Sequence, residues 1–140
     1  MSEQDAVLFA NAAFYAAFAS RDVSAMEGVW AKDRSLTCVH PGWAPLNGRS
    51  QVFGSWRAIL GDATAPRISV CQDHAVVYGD CAVVTCIEVI KSAQGADQYL
   101  AATNIFVKAG QLWAMVHHQA GPANVDPRTL ETDAERPRLN

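Results

Sequence analysis

Four side chains in this sequence have the chemistry to move protons and sit among apolar neighbours: His40, Glu88, Asn104 and His117. His40 closes the apolar run "SLTCVH" (35–40) and is followed at once by Pro41-Gly42. An imidazole titrates near neutral pH and serves as a general base with little tuning. The same ring could instead bond a backbone carbonyl and brace the strand end. Asn104, in "AATNIFV", is an amide whose polar atoms would be costly without partners. It either donates to a ligand carbonyl or bonds another side chain. Glu88, in "TCIEVIK", is a carboxylate in an otherwise apolar strand, where burial would raise its pKa and suit it to acid–base work. A one-residue shift in the turn at 93–96 would reverse its side, so Glu88 faces either the interior or an interface ion pair. "VHHQ" supplies His117 and His118, which as strand neighbours face opposite ways. His40, His117 and a carboxylate lack the local spacing of a zinc site, so no metal is expected.

The elements that must position these groups follow from periodicity. Residues 3–20 read as an amphipathic helix, with Val7, Ala10, Phe14, Ala17 and Phe18 on one face. Tyr15 lies about 100° round from Phe14. Asp22 is a suitable N-cap for a short second helix carrying Val23, Met26 and Trp30. A strand over 35–40 follows. A third helix starts near Asn47 or Ser50, carries Val52, Trp56, Ile59 and Leu60, and ends on Gly61 as its C-cap. The rest has β character: "RISVCQDHAVVY", "CAVVTCIEVIK", "YLAATNIFVK" and "QLWAMVHHQ", separated by Gly-containing turns. The predicted architecture is α+β: three N-terminal helices on one face of a strongly bent antiparallel sheet. Residues 1–122 form one domain, and 123–140, rich in Pro, Asp, Arg and Glu, form a tail with little packing.

Composition excludes several functions. The chain has 140 residues, a formal charge of −3 and a hydrophobic half. No basic stripe exists for nucleic acid, no run reaches the ~18 apolar residues of a membrane span, and the N-terminus lacks the order of a secretory signal. Cys38, Cys71, Cys81 and Cys86 show no CxxC spacing and sit in apolar runs, as reduced thiols of a cytoplasmic protein do. "AVVTCIEVI" and "LAATNIFV" are apolar on both alternating faces, whereas a sheet with one wet face alternates. A homodimer through the outer sheet face is therefore expected.

Three strings in order, "FYAAFASRDVSAMEGVWAKD", "HPGWAPLNGRSQVFGSW" and "AATNIFVKAGQLWAMVHHQ", resemble the nuclear transport factor 2-like superfamily, including SnoaL-like and ketosteroid-isomerase-like proteins. The likeness spans about residues 4–120. It implies a cone-shaped fold around a deep, mostly apolar cavity, a usual form for a small-molecule site. In that fold the first strand ends at the cavity wall, so His40-Pro41 stands where the isomerases keep an Asp-Pro base. Their oxyanion-hole Tyr and Asp match Phe14 and Asn104. The resemblance places Trp113, Met115, His117 and Gln119 on the inner face and His118 on the outer. Phe14, Tyr15, Trp30, Trp56, Phe106, Trp113 and Met115 become cavity wall or rim, and Trp43 a lip beside His40. The function implied is cofactor-independent isomerase, cyclase or hydratase-like chemistry on a small apolar carbonyl compound. His40 acts as acid or base, with Asn104 and His117 or Glu88 at the oxygen. The alternative is a ligand-binding or dimeric association module of the same fold.

Overall fold

The computed structural model describes residues 1–134. Helix α1 (Glu3–Ser20) and helix α2 (Val23–Val29) come first, then strands β1 (Thr37–Val39) and β2 (Leu46–Asn47) and helix α3 (Arg49–Gly61). Four long strands follow: β3 (Ile68–Tyr78), β4 (Cys81–Ile90), β5 (Gln98–Ala109) and β6 (Leu112–Pro122), and then helix α4 (Pro127–Ala134). Among the described residues no helix is long and apolar enough to cross a membrane.

Side chains start the first two helices. Ser2 accepts from the Asp5 amide at 3.0 Å, and Asp22 accepts from the Ala25 amide at 3.0 Å, each satisfying an N–H that the helix leaves unpaired. Arg21 ends α1 at φ 55°, and its guanidinium bonds the carbonyls of Asp62 and Ala65 beyond α3. Gly61 is the last residue of α3 rather than its cap; Asp62 caps it, in extended conformation. The left-handed turn that would demand glycine there is absent.

The sheet has six strands in the order β2-β1-β6-β5-β4-β3. β3 to β6 form the predicted meander, but the sheet is not purely antiparallel: β1 runs parallel to β6, Cys38 opposite His118. A three-residue strand offers no pattern from which its direction can be read. β6 also carries a bulge. Ile105 pairs with His117 while Phe106 pairs with Met115, so Val116 is one residue too many. Such an insertion bends and twists the strand.

α1 lies across the inner face of the sheet, against β3, β4 and β6. Its apolar face is the predicted one, with Val7 and Phe14 fully buried, and Phe14 meets Trp30 and Trp56 edge to face. Phe106 and Met115 complete the centre, both fully buried. In the predicted tail, α4 lies against β3, and residues 135–140 are outside the described residues.

Candidate functional site

Five elements each send a polar side chain into this apolar centre. α1 contributes Asn11 and Tyr15, β4 contributes Glu88, β5 Asn104, β6 His118, and the end of β1 His40. All are at most 5% exposed. Groups so buried need partners, and these find one another. Asn104 Nδ2 donates to Asn11 Oδ1 at 2.8 Å and to the Tyr15 hydroxyl at 3.2 Å. Tyr15 donates to Glu88 Oε2 at 2.7 Å. Asn104 Oδ1 lies 2.6 Å from His118 Nδ1, and His118 Nε2 lies 3.8 Å from Glu88 Oε2.

His40 stands apart from that chain, its ring centre 6.2 Å from that of His118 and both against Trp56. Ser55 gives its only proton to the Val52 carbonyl at 2.6 Å. Its oxygen, 2.9 Å from His40 Nε2, can therefore only accept, so Nε2 carries the proton and Nδ1 the lone pair. The nearest hydrogen-bonding neighbour of that lone pair is the Cys38 thiol, 4.0 Å away. Trp43, 46% exposed, lies edge-on to the ring at 4.9 Å between centres, between His40 and solvent. The buried Trp56 Nε1–H has no partner among the described residues.

Burial dominates the electrostatics. It lowers His40 to about 4 and His118 to about 3, the latter with help from His40 and His117. Burial raises Glu88, and the Tyr15 hydrogen bond opposes this only in part. Burial also raises Tyr15, and pushes the Cys38 and Cys86 thiols to about 12 and about 11. These two thiols are therefore not nucleophiles at neutral pH, and none of the four cysteines is in a disulfide.

The structure thus brings together His40, Glu88, Asn104, Phe14, Tyr15 and Trp56. His117 is not among them. It is half-buried on the opposite face, its Nδ1 2.7 Å from Thr37 Oγ1, because the surplus Val116 reverses the alternation and turns His118 inward. Trp30, Phe106 and Met115 are core residues beside this group. Trp113 lines a separate groove of about 340 Å³ with Phe9, Val29 and Leu112, to which none of the polar cluster contributes. Sequence reasoning missed Asn11, Ser55 and His118. Asn11 had a signal: it is four residues after Val7 and three before Phe14, on the apolar face. Among the described residues no group of His, Cys, Asp and Glu could hold a metal.

Comparison with known families decides the membership: the model of the SnoaL-like domain matches residues 7–124. The chain belongs to the SnoaL-like family. No curated protein matches this SnoaL-like chain. Solved structures do. One is a proposed dehydratase of the NTF2-like family from Streptomyces avermitilis, 30% identical over 88% of this chain and 97% of that one, with a TM-score of 0.77. Another is a proposed calcium/calmodulin-dependent protein kinase type II association domain from Thiobacillus denitrificans, 35% identical, covering 82% and 93%, TM-score 0.72. The CaMKII hub of S. rosetta, 21% identical over 88% and 98%, TM-score 0.70, shares the fold.

Proposed function

We propose that this SnoaL-like protein is a cofactor-independent acid–base enzyme of isomerase, cyclase or dehydratase type, acting on a small apolar carbonyl compound with His40 as base. The observation that carries the reading is the state of His40. Ser55 holds Nε2–H, Nδ1 is left as a lone pair, and the ring lies under the half-exposed Trp43. At about 4, its pKa keeps the imidazole unprotonated at neutral pH. A base that weak has little driving force of its own, so an electrophilic partner must sit on the substrate oxygen. We assign that role to His118, with Glu88 behind it; Asn104, whose amide protons both go to Asn11 and Tyr15, holds His118 in place. Phe14 and Trp56 make the surroundings of the two histidine rings apolar, and a substrate would have to enter past the half-exposed Trp43. The similarity to a proposed dehydratase supports the same class of chemistry.

α-Proton exchange of 2-cyclohexen-1-one in D₂O, followed by proton NMR, tests this. The wild-type protein should accelerate exchange and His40→Ala should not, while the variant stays folded. No acceleration over buffer, or equal acceleration by His40→Ala, refutes the assignment.

A second reading is favoured by the outer sheet face, where Val83, Ile105, Val107 and Val116 are only half-buried by the chain itself. Two copies meeting there would form a homodimer burying on the order of 1,200–2,000 Å². Its use as an association module agrees with the relatives named as association domain and hub. Sedimentation at micromolar concentration showing only a 15.1 kDa species would exclude it.

A further inference from the structure

The hydrogen-bond directions in the buried cluster leave one proton to be placed. Tyr15 has a single hydroxyl proton and gives it to Glu88 Oε2 at 2.7 Å. Asn104 spends both amide protons, on Asn11 at 2.8 Å and on the Tyr15 oxygen at 3.2 Å. Its carbonyl therefore faces His118 Nδ1 at 2.6 Å as an acceptor, so Nδ1 bears the hydrogen. In a neutral ring, Nε2 is then a lone pair, and it faces Glu88 Oε2 at 3.8 Å. Both side chains are 1% exposed. Two acceptors turned on each other in a dry interior cost free energy that a proton between them removes.

We infer that Glu88 rests as a protonated carboxyl whose Oε2–H is aimed at the His118 lone pair, and that Glu88 is thereby a positioning residue acting through His118. The protonation follows from the hydrogen-bond directions around the pair and from two buried acceptors 3.8 Å apart, beyond hydrogen-bond contact; only its use in turnover rests on the proposed function. In the resting state the proton is on Oε2 and both groups are neutral. The titratable groups that face the pair agree with this: Tyr15 from α1, Cys38 from β1, Cys86 from β4, His40 after β1 and His117 on the same strand as His118. None is a lysine or arginine, so no fixed positive charge draws the carboxyl into its ionised form.

When a substrate oxygen near His118 gains negative charge, the pair closes from 3.8 Å to hydrogen-bond distance, the Oε2–H bond breaks and an Nε2–H bond forms. An imidazolium then faces the developing oxyanion, with a carboxylate behind it. The proton returns to Oε2 when His40 gives up the one that it took from carbon. No oxidant, reductant or cofactor enters the balance.

Infrared difference spectroscopy of wild type against Glu88→Gln at pH 7 tests the resting state. A protonated-carboxyl carbonyl band should be present in the wild type and lost in the variant. The variant should melt no lower than the wild type at pH 7, because a carboxamide keeps the shape of the protonated carboxyl without the cost of holding it protonated above its unfolded value of 4.5. If Glu88→Gln does not fold, ¹³C-carboxyl and ¹⁵N-imidazole NMR of the wild type answer the same question. One glutamate carboxyl should remain protonated at pH 7, and His118 should be the neutral Nδ1–H tautomer. A fully ionised set of glutamates with His118 protonated on both nitrogens overturns the inference. A protonated Glu88 without ketone exchange leaves this inference standing and removes the proposed function; the converse result does the reverse.

Discussion

Replacing Asn104 by leucine keeps side-chain size roughly constant while deleting the hub of the buried cluster. Asn104 is fully buried and makes three hydrogen bonds, to Asn11, Tyr15 and His118. Tyr15 keeps its bond to Glu88, so its loss is small. Asn11 Oδ1 and His118 Nδ1–H are the two groups left buried without their partner. At about 1–3 kcal/mol for each orphaned group, Asn104→Leu should cost about 2–6 kcal/mol. Against a total stability of about 5–15 kcal/mol for a single domain, that is a large fraction. Urea unfolding followed by tryptophan fluorescence should show a lower midpoint with an unchanged slope. Adding Asn11→Ala should then cost less than it does alone, because one of the two orphans is gone, with a coupling of about 0.5–3 kcal/mol. A cost for Asn104→Leu below about 1 kcal/mol, or strict additivity with Asn11→Ala, would refute the account of a connected network.

Two further perturbations probe the histidines. Trp43→Ala removes a half-exposed ring whose partner is the His40 imidazole, so stability should change by less than about 1 kcal/mol; histidine NMR titration should show His40 rising from about 4 towards its ordinary 6.5, and an unmoved pKa would mean that Trp43 does not shield it. In acid, unfolded chains protonate both buried histidines near pH 6.5 whereas the native protein does so only near 4 for His40 and 3 for His118. Their contribution is thus present above pH 6.5 and lost as pH falls below it, at up to about 1.4 kcal/mol per unit per histidine. Glu88, raised in the native state, has the opposite slope, losing stability as pH rises above its unfolded value of 4.5. Urea midpoints from pH 7 to 4 should therefore fall, and fall more steeply in Glu88→Gln; a flat profile would show that the histidines are not buried uncharged.

Periodicity made much of this fold legible. Phe14, Val52 and Trp56 stand at helical spacings that only a buried face explains, and His40 at the end of an apolar run marks a strand entering the interior; Trp30, expected on the second helix, instead follows it in extended conformation and bridges Met115. The inward turn of His118 was not legible, because one surplus residue at Val116 has no local signature and shows only in the pairing of β6 with β5. The same limit left the side of Glu88 open until its register opposite Leu100 was known. The parallel placement of β1 was equally silent, since three residues are too few to carry a pattern. Asn11 and Ser55 are polar residues on apolar helical faces, a signal that periodicity does contain but that a search for apolar positions passes over.

The pairing of the first helix with the last strands has a consequence for how the molecule is made. Asn11 finds Asn104 across 93 residues of chain, Tyr15 finds Glu88 across 73, and β1 can pair with nothing in β6 until residue 117 exists. During synthesis α1 is complete while the partners of Asn11 and Tyr15 are still unmade, so this amide and phenol hold water rather than Asn104 and Glu88. Chains dominated by such distant pairings close slowly, on the order of milliseconds to seconds. The polar cluster therefore cannot close until β6 has been made, and a nascent chain stalled before β6 carries the inner face of α1 without the last strand that covers it.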